Sequence, residues 1–432
     1  MPELNLLFLQ MAIILATARL MALAMRYIGQ PEVVGEMVAG ILLGPSLLGR
    51  VSPWALASLF PDSGLAPLYS LSQVGLVLFM FLIGLEVQPG ATSGSARSVL
   101  IASYASIAAP FVCGALLAWR LYPQLGNGAP MLPFVLFLGA AISVTAFPVL
   151  ARILTDRKLM NTRVGVFAIA CAAVDDVTAW CMLAVITVIA RPEAVQTPLS
   201  LRFGMLGLYV LVMWFVVRPV LRRLIPAGSS LGLGRFGAVM VFLLISACTT
   251  DALSVHALFG AFLAGLVMPK GGSLEKELRE RMESVTLGLL LPLFFAYTGL
   301  RTSIGLLNSP GAWLLCGVII LVAVASKLIV SAGCVRASGL SWRESIAVGV
   351  LVNTRGLVGL IILNAGLDLH ILSPLLFSMM VIMALVTTLM SVPLIDRILP
   401  VRSTLDRAKA VKHMPALEPE MAQTTSGVAS ES

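Results

Sequence analysis

The chain alternates between long apolar runs and short polar or Gly/Pro-rich breaks over nearly its whole length. A helix that crosses a bilayer needs roughly 20 mostly apolar residues. Read against that length, the pattern predicts thirteen spans, near 4–25, 31–49, 66–87, 98–119, 132–151, 164–190, 203–221, 236–253, 255–269, 284–300, 311–335, 344–366 and 372–395. The first run has no basic n-region and is too long for a signal-peptide core, so it counts as a span. Beyond residue 400 the pattern stops. Residues 401–432 read as a short, disordered cytoplasmic tail, too short for a nucleotide-binding regulatory domain.

Composition narrows the class. Of 432 residues, 59% are hydrophobic and 12% charged, whereas a soluble domain is about 45–50% apolar and about 25% charged. This excludes a soluble enzyme, a disordered chain and a disulfide scaffold. It implies an all-α polytopic membrane protein whose surroundings are the lipid bilayer. The net charge of +8 then reads as a topology signal rather than a nucleic-acid surface. With the N-terminus outside, Arg152, Arg157, Lys158, Arg163, Arg218, Arg222 and Arg223 all fall in inner loops. The outer loops hold only Arg50, Arg120, Arg191, Arg202 and Arg301. The expectation is a multi-pass protein of the plasma (cytoplasmic) membrane with its C-terminus in the cytoplasm. The six cysteines are scattered singly through apolar stretches without metal-like spacing and read as small hydrophobes. No cofactor is called for.

Two parts of the chain look alike. GEMVAGILLGP begins at Gly35 and GAFLAGLVMP at Gly260, each with Ala-Gly four residues on; the following spans share Phe79 to Leu85 beside Phe294 to Leu300. An offset of seven spans is odd, so the second copy would insert upside down, an arrangement common in secondary transporters. The reading divides the membrane domain, 1–400, into repeat one (about 1–190), a linker helix (about 203–221) and repeat two (about 236–400). Chance similarity between Gly-rich apolar helices is the alternative.

Span five, LGAAISVTAFPVLARIL, contains Pro148, which lacks an amide donor and clashes with the carbonyl four residues back. Ser143 and Thr145 precede it and can satisfy freed backbone groups. The partner span, VGVLVNTRGLVGLIIL, carries Asn353, Thr354, Arg355 and Gly356 in its middle. Interruptions in corresponding spans of two halves point to a transporter site, although an ordinary proline kink would also explain span five.

Asp175 and Asp176 fall near the centre of span six, VGVFAIACAAVDDVTAWCMLAVITVIA. A central Asp costs roughly 2.5–3.5 kcal/mol on insertion. Intramembrane acids therefore read as functional, facing water or a partner charge. Lys327 lies mid-span in LVAVASKLIVSAG and is the natural partner. Carboxylates beside hydroxyls and carbonyls suit a hard cation, and a proton competes for the same oxygens. An ion-pair cluster that merely orients helices is the other reading. Glu36 and Glu86 near span ends read as snorkelling side chains, and His256 as a loop–helix junction residue. Glu275 to Glu283 reads as a solvated cytoplasmic segment.

Together, GQPEVVGEMVAGILLGPSLLG (29–49), LFMFLIGLE (78–86), AISVTAFPVLARIL (141–154), VDDVTAW (174–180), LPLFFAYTGL (291–300) and VNTRGLVGLIILN (352–364) resemble the monovalent cation:proton antiporters of the CPA2 group over nearly the whole chain. The resemblance implies a thirteen-helix Na+/H+ antiporter-like fold of inverted repeats with two broken helices, a homodimer, and elevator-like movement of a core domain against a scaffold. It implies exchange of Na+, K+ or Li+ for H+, in the service of pH homeostasis. It assigns Asp176, Asp175, Thr145 and Ser143 to cation and proton binding, with Lys327 as charge partner of Asp175 in electrogenic members. Phe147, Pro148, Asn353, Thr354, Arg355 and Gly356 form the broken-helix crossover. A large C-terminal regulatory domain, usual in the potassium-efflux branch, has no counterpart in this sequence.

Other classes fit less well. An intramembrane aspartyl protease needs its two acids on different helices, whereas here they are neighbours about 100° apart on one. The protein is therefore not read as an enzyme. Na+-coupled uptake of an organic solute on the same fold, or a non-transporting sensor or scaffold, are the remaining alternatives.

Overall fold

The structure is a computed structural model that describes residues 3–86, 96–126, 128–160, 162–190, 199–224, 231–253, 256–270 and 273–399. The stretch expected to form a cytoplasmic tail, 401–432, lies outside the described residues. Those residues are helical almost throughout. The first half comprises α1 (Glu3–Tyr27), α2 (Glu32–Leu43), the short α3 (Leu48–Val51) and α4 (Pro53–Leu59), α5 (Asp62–Glu86), α6 (Ala96–Leu125), α7 (Met131–Ser143), α8 (Phe147–Asp156) and α9 (Arg163–Ala190). A connecting rod, α10 (Leu199–Val212) and α11 (Arg218–Leu224), is joined by one π turn. The second half comprises α12 (Leu233–Ala252), α13 (Ala257–Val267), α14 (Ser273–Val285), α15 (Leu291–Leu300), α16 (Pro310–Ala337), α17 (Trp342–Val352), α18 (Leu357–Asp368) and α19 (Pro374–Ile398).

Among the described residues, 10 helices are long and apolar enough to cross a membrane, and Met131–Ser143, Ala257–Val267 and Val358–Asp368 are shorter apolar helices. Every stretch expected to span falls largely on helix; beyond the interruptions expected within 132–151 and 344–366, two differences are instructive. The span expected at 31–49 is regular only to Leu43, because Gly44 turns extended before Pro45. The span expected at 284–300 begins earlier: the charged segment before it is helix α14, which continues through a π turn into α15. Leu274, Leu278 and Met282 recur at i, i+4 and i+8 and are buried, while Lys276 and Glu280 face outward. This amphipathic spacing makes the polar segment part of the fold. Its Arg279 pairs with Glu86 at the end of α5.

Packing sorts the helices into two groups. In one, α2 lies between α1 and α15, and α13 between α12 and α5. In the other, α6, α7, α8, α9, α16, α17, α18 and α19 pack among themselves. The groups meet through a few contacts, such as α2 with α19 and α15 with α18.

The first group is knitted by glycines. Gly40 of α2 crosses Gly299 of α15, where a β-carbon at Gly40 would stand 2.6 Å from the Ala296 Cα. Gly84 of α5 crosses Gly265 of α13, where a β-carbon at Gly84 would overlap the Phe262 carbonyl oxygen and one at Gly265 the Phe81 carbonyl oxygen. Gly35 lies against the α1 backbone at Met21, and Gly260 against the α12 backbone at Ser246. The glycines that stand at matching places in the two look-alike segments thus make matching contacts. In hydrocarbon, association rests on such close backbone approach, since lipid is as apolar as leucine.

Gly265→Ala should therefore lower stability by about 1–3 kcal/mol through overpacking. Gly204→Ala, at a helical glycine with nothing within 4 Å, should leave stability unchanged or raise it by up to about 1 kcal/mol. Thermal unfolding in detergent distinguishes the two, and equal midpoints would show that the crossing tolerates a methyl group.

Candidate functional site

The second group of helices is organised around two interruptions. Helix α7 ends at Ser143, Val144 and Ala146 are extended, and α8 starts at Phe147. Pro148 takes the second position of α8, where the amide hydrogen it lacks would have no partner. Helix α17 ends at Val352, and α18 starts after Gly356. At Gly356 a β-carbon would stand 2.7 Å from Val149 Cγ2, so the close approach of α8 requires glycine there. The two breaks touch: the Ala146 amide donates to the Thr354 carbonyl at 2.9 Å. The carbonyl ends of α7 and α17 and the amide ends of α8 and α18 therefore converge, bringing partial charges of both signs to one place.

Arg355, 2% exposed, answers the carbonyl end of α7. Its guanidinium donates to the carbonyls of Ala141 (2.9 Å), Val144 (3.4 Å) and, on α16, Ala323 (3.4 Å). Its backbone is held on both sides by Thr388, whose hydroxyl accepts from the Arg355 amide and donates to the Arg355 carbonyl.

Asp175 and Asp176 lie on α9 at this crossing and are buried, as is Lys327 of α16. Lys327 Nζ donates to Asp175 Oδ2 at 2.8 Å and to the Ser143 carbonyl at 2.5 Å. The Thr145 hydroxyl lies 2.5 Å from Asp175 Oδ2 and 2.7 Å from the Val352 carbonyl. Ser106 of α6 approaches Asp175 Oδ1 at 3.4 Å while donating to the Ser103 carbonyl at 2.9 Å. Asp175 is thus surrounded by donors.

Asp176 differs. It accepts the amide of Phe147, the first residue of α8, but its Oδ1 has no partner among the described residues, and neither has Asn353 Oδ1. Leaving a buried acceptor unsatisfied costs about 1–3 kcal/mol, more for a charged group. Oxygens of this kind suit a hard monovalent cation, a proton or a water molecule. The described residues contain no group of three or more His, Cys, Asp or Glu able to hold a metal ion, so carbonyl and hydroxyl oxygens would have to complete any cation's shell.

The structure brings Asp175, Asp176, Thr145, Lys327, Phe147, Asn353, Thr354, Arg355 and Gly356 together. Ser143 takes part through its carbonyl rather than its hydroxyl, which turns back to the Ala140 carbonyl at 2.9 Å. Glu36 corrects a sequence expectation: it is buried on α2 instead of snorkelling, because α2 is enclosed by α1 and α15. Glu86 reaches Arg279, and His256 caps α13, accepting the Leu258 amide. Ser106 and Thr388 were not foreseen; single hydroxyls in apolar spans usually bond their own helix, and only the fold reveals these contacts. Arg301 was likewise read as a loop residue. It pairs with Asp368 at 2.7 Å and with Asn364 at 3.2 Å, bridging α15 to α18.

Known proteins show the same scaffold. Residues 12–399 match the family described as sodium/hydrogen exchanger, transmembrane. The chain is 39% identical over 393 residues to the Na+/H+ antiporter NhaS4 of Synechocystis sp., an alignment covering 90% of this chain and 96% of that protein. It is 38% identical over 396 residues to cation/H+ antiporter 17 of Arabidopsis thaliana. With the K+/H+ antiporter 1 of Saccharomyces cerevisiae it shares 33% over 408 residues. The alignments cover 91% and 92% of this chain but only 48% and 47% of those relatives, so it spans about half their length. Among solved structures, the sodium proton antiporter MjNhaP1 of Methanocaldococcus jannaschii matches with a TM-score of 0.68 over 91% of this chain and 99% of that one. At 15% identity, that likeness concerns the fold alone.

Removing one member of a buried ion pair typically costs about 3–5 kcal/mol, because the other charge is left alone. Lys327→Met should therefore destabilise the protein more than the double variant Asp175→Asn/Lys327→Met. Thermal midpoints in detergent check this, and a double variant less stable than the single one would contradict the pairing.

Proposed function

Because this chain belongs to the family of transmembrane sodium/hydrogen exchangers, we propose that it exchanges a monovalent cation (Na+, K+ or Li+) for protons, with Asp176 as the seat the two share. The observation that carries the reading is the unpartnered Asp176 Oδ1, buried where two interrupted helices meet. Thr145, Asn353 and nearby carbonyls would complete the cation's oxygen shell. Asp175 and Lys327 form the accompanying charge pair, so that the buried site can carry net charge as it changes sides.

Movement in this reading follows the two packing groups. The helices α6–α9 and α16–α19 act as the carrying core, and α1, α2, α5, α12, α13 and α15 as the scaffold. The few contacts between the groups support a sliding seam. The matching glycine contacts support two inverted repeats, about 1–190 and 236–400, linked by the helix at about 203–221. The N-terminus lies outside, which places Arg152, Arg157 and α14 on the cytoplasmic face of the plasma membrane, and the working unit is a homodimer. A Na+-coupled organic solute would need room at the crossing, where Asp175, Asp176, Thr145, Asn353 and Arg355 are all buried.

Asp176→Asn should abolish cation-dependent dissipation of a pH gradient in proteoliposomes, tested with each chloride salt in turn. Exchange retained in that variant would remove Asp176 from the mechanism. An imposed membrane potential should change the initial rate of the unaltered protein; a rate indifferent to voltage would dismiss Asp175 and Lys327 as movers of net charge.

A further inference from the structure

A bilayer-facing groove of about 440 Å³ runs along the seam of α6 and α7. The two helices touch at Gly114 and Gly139. Beside that contact the groove is walled by Val112, Ala115, Leu116 and Trp119 on α6 and by Leu132 and Val135 on α7. Its volume falls within the roughly 300–1,000 Å³ of small-molecule sites, and apart from the Trp119 indole its lining side chains are purely apolar. From Phe111 to Trp119 it extends about 12 Å along the helix axis, somewhat under half of the roughly 30 Å hydrocarbon thickness of a bilayer.

The end of the groove is different. Trp119 is 53% exposed, and the Arg120 guanidinium lies over its ring at 5.7 Å. Arg120 makes no ion pair among the described residues. Trp belongs at the headgroup level of a bilayer, and an arginine there offers a fork of donors matched to phosphate. The groove thus has an apolar floor of acyl-chain character and a cationic mouth at the depth of lipid phosphates.

We propose that this groove is a binding site for one glycerophospholipid, its acyl chain lying along α6 and α7 and its phosphate on Arg120. The site has a functional address. Helix α7 is the half-helix that ends at Ser143, whose carbonyl receives Lys327, and an acyl chain in the groove would brace α7 from the lipid side. The bound lipid would travel with the core helices rather than stay with the bulk bilayer.

The full chain in vesicles of phosphatidylethanolamine and phosphatidylglycerol (3:1), doped with a phosphatidylglycerol bearing a photoreactive diazirine on its acyl chain, tests this. Adducts are mapped by mass spectrometry of peptides. The expected result is labelling of 111–119 and 131–135 at least threefold above that of 208–215, on α10 and the π turn after it, where Leu208, Leu211, Val212 and Phe215 form another exposed apolar surface. Ala115→Phe, which fills the groove, should lower the first signal threefold or more and leave the second unchanged. Arg120→Gln should reduce the preference for the phosphatidylglycerol probe over its phosphatidylcholine counterpart. Equal labelling of both surfaces in the unaltered protein, or labelling of 111–119 that survives Ala115→Phe, would show ordinary boundary lipid and overturn the proposal.

Discussion

A helix in hydrocarbon must satisfy its own backbone, and two helices of this protein stop halfway. Everything near the crossing follows from that constraint. Lipid cannot receive the freed carbonyls of α7, and water does not reach a buried helix end unaided. The protein supplies cations instead: Arg355 on Ala141 and Val144, and Lys327 on Ser143. Those cations in turn need counter-charges, which Asp175 and Asp176 provide on the neighbouring α9. The functional chemistry is thus a by-product of repairing two broken backbones, and each repair leaves a charge that needs the next.

The same constraint divides labour between the two packing groups. The group built on glycine crossings holds together through backbone proximity, with hydrogen bonds at the crossings themselves, such as Ser246 to the Gly260 carbonyl and Lys270 Nζ to the Gly84 carbonyl. The group around the breaks holds together through hydrogen bonds and charges. Where they meet, the ties are few and lie towards the helix ends. Arg301 joins α15 to α18 at one end. At the other, Arg157, held to Asp396 of its own group at 2.7 Å, reaches across to the Gly29 carbonyl at 3.2 Å. The strong Asp396 hydrogen bond raises the Arg157 pKa further above its ordinary value, which keeps that tie charged at any working pH.

Much of this was legible in the sequence because hydrocarbon leaves so few options. Span positions follow from apolar length alone, and Asp175, Asp176 and Lys327 stand out because a charge in that setting has no bland explanation. The interruptions could be read from Pro148 and from the run Asn353 to Gly356, since neither suits a continuous lipid-facing helix. What could not be read is which atoms serve. Ser143 was expected in cation and proton binding, and the atom it turns toward Lys327 is its carbonyl oxygen. Glu36 looked like a residue reaching for water because its span seemed to end nearby, but α1 and α15 enclose it. Ser106, Thr388 and Arg301 carry no local signal, since their partners are about 30–70 residues away in the chain and meet them only after folding.

The formal charges at the crossing carry a consequence of their own. With both aspartates ionised, Lys327 and Arg355 balance them and the pocket is neutral overall. A proton on Asp176 already gives such a pocket an excess positive charge, and a metal ion entering beside that proton would double the excess in a medium that solvates charge poorly. Arg355 cannot relieve it, because a guanidinium does not surrender its proton under physiological conditions. In the proposed exchange, loading of the ion and release of the Asp176 proton would then be a single event, coupled by the scarcity of solvent around four side chains.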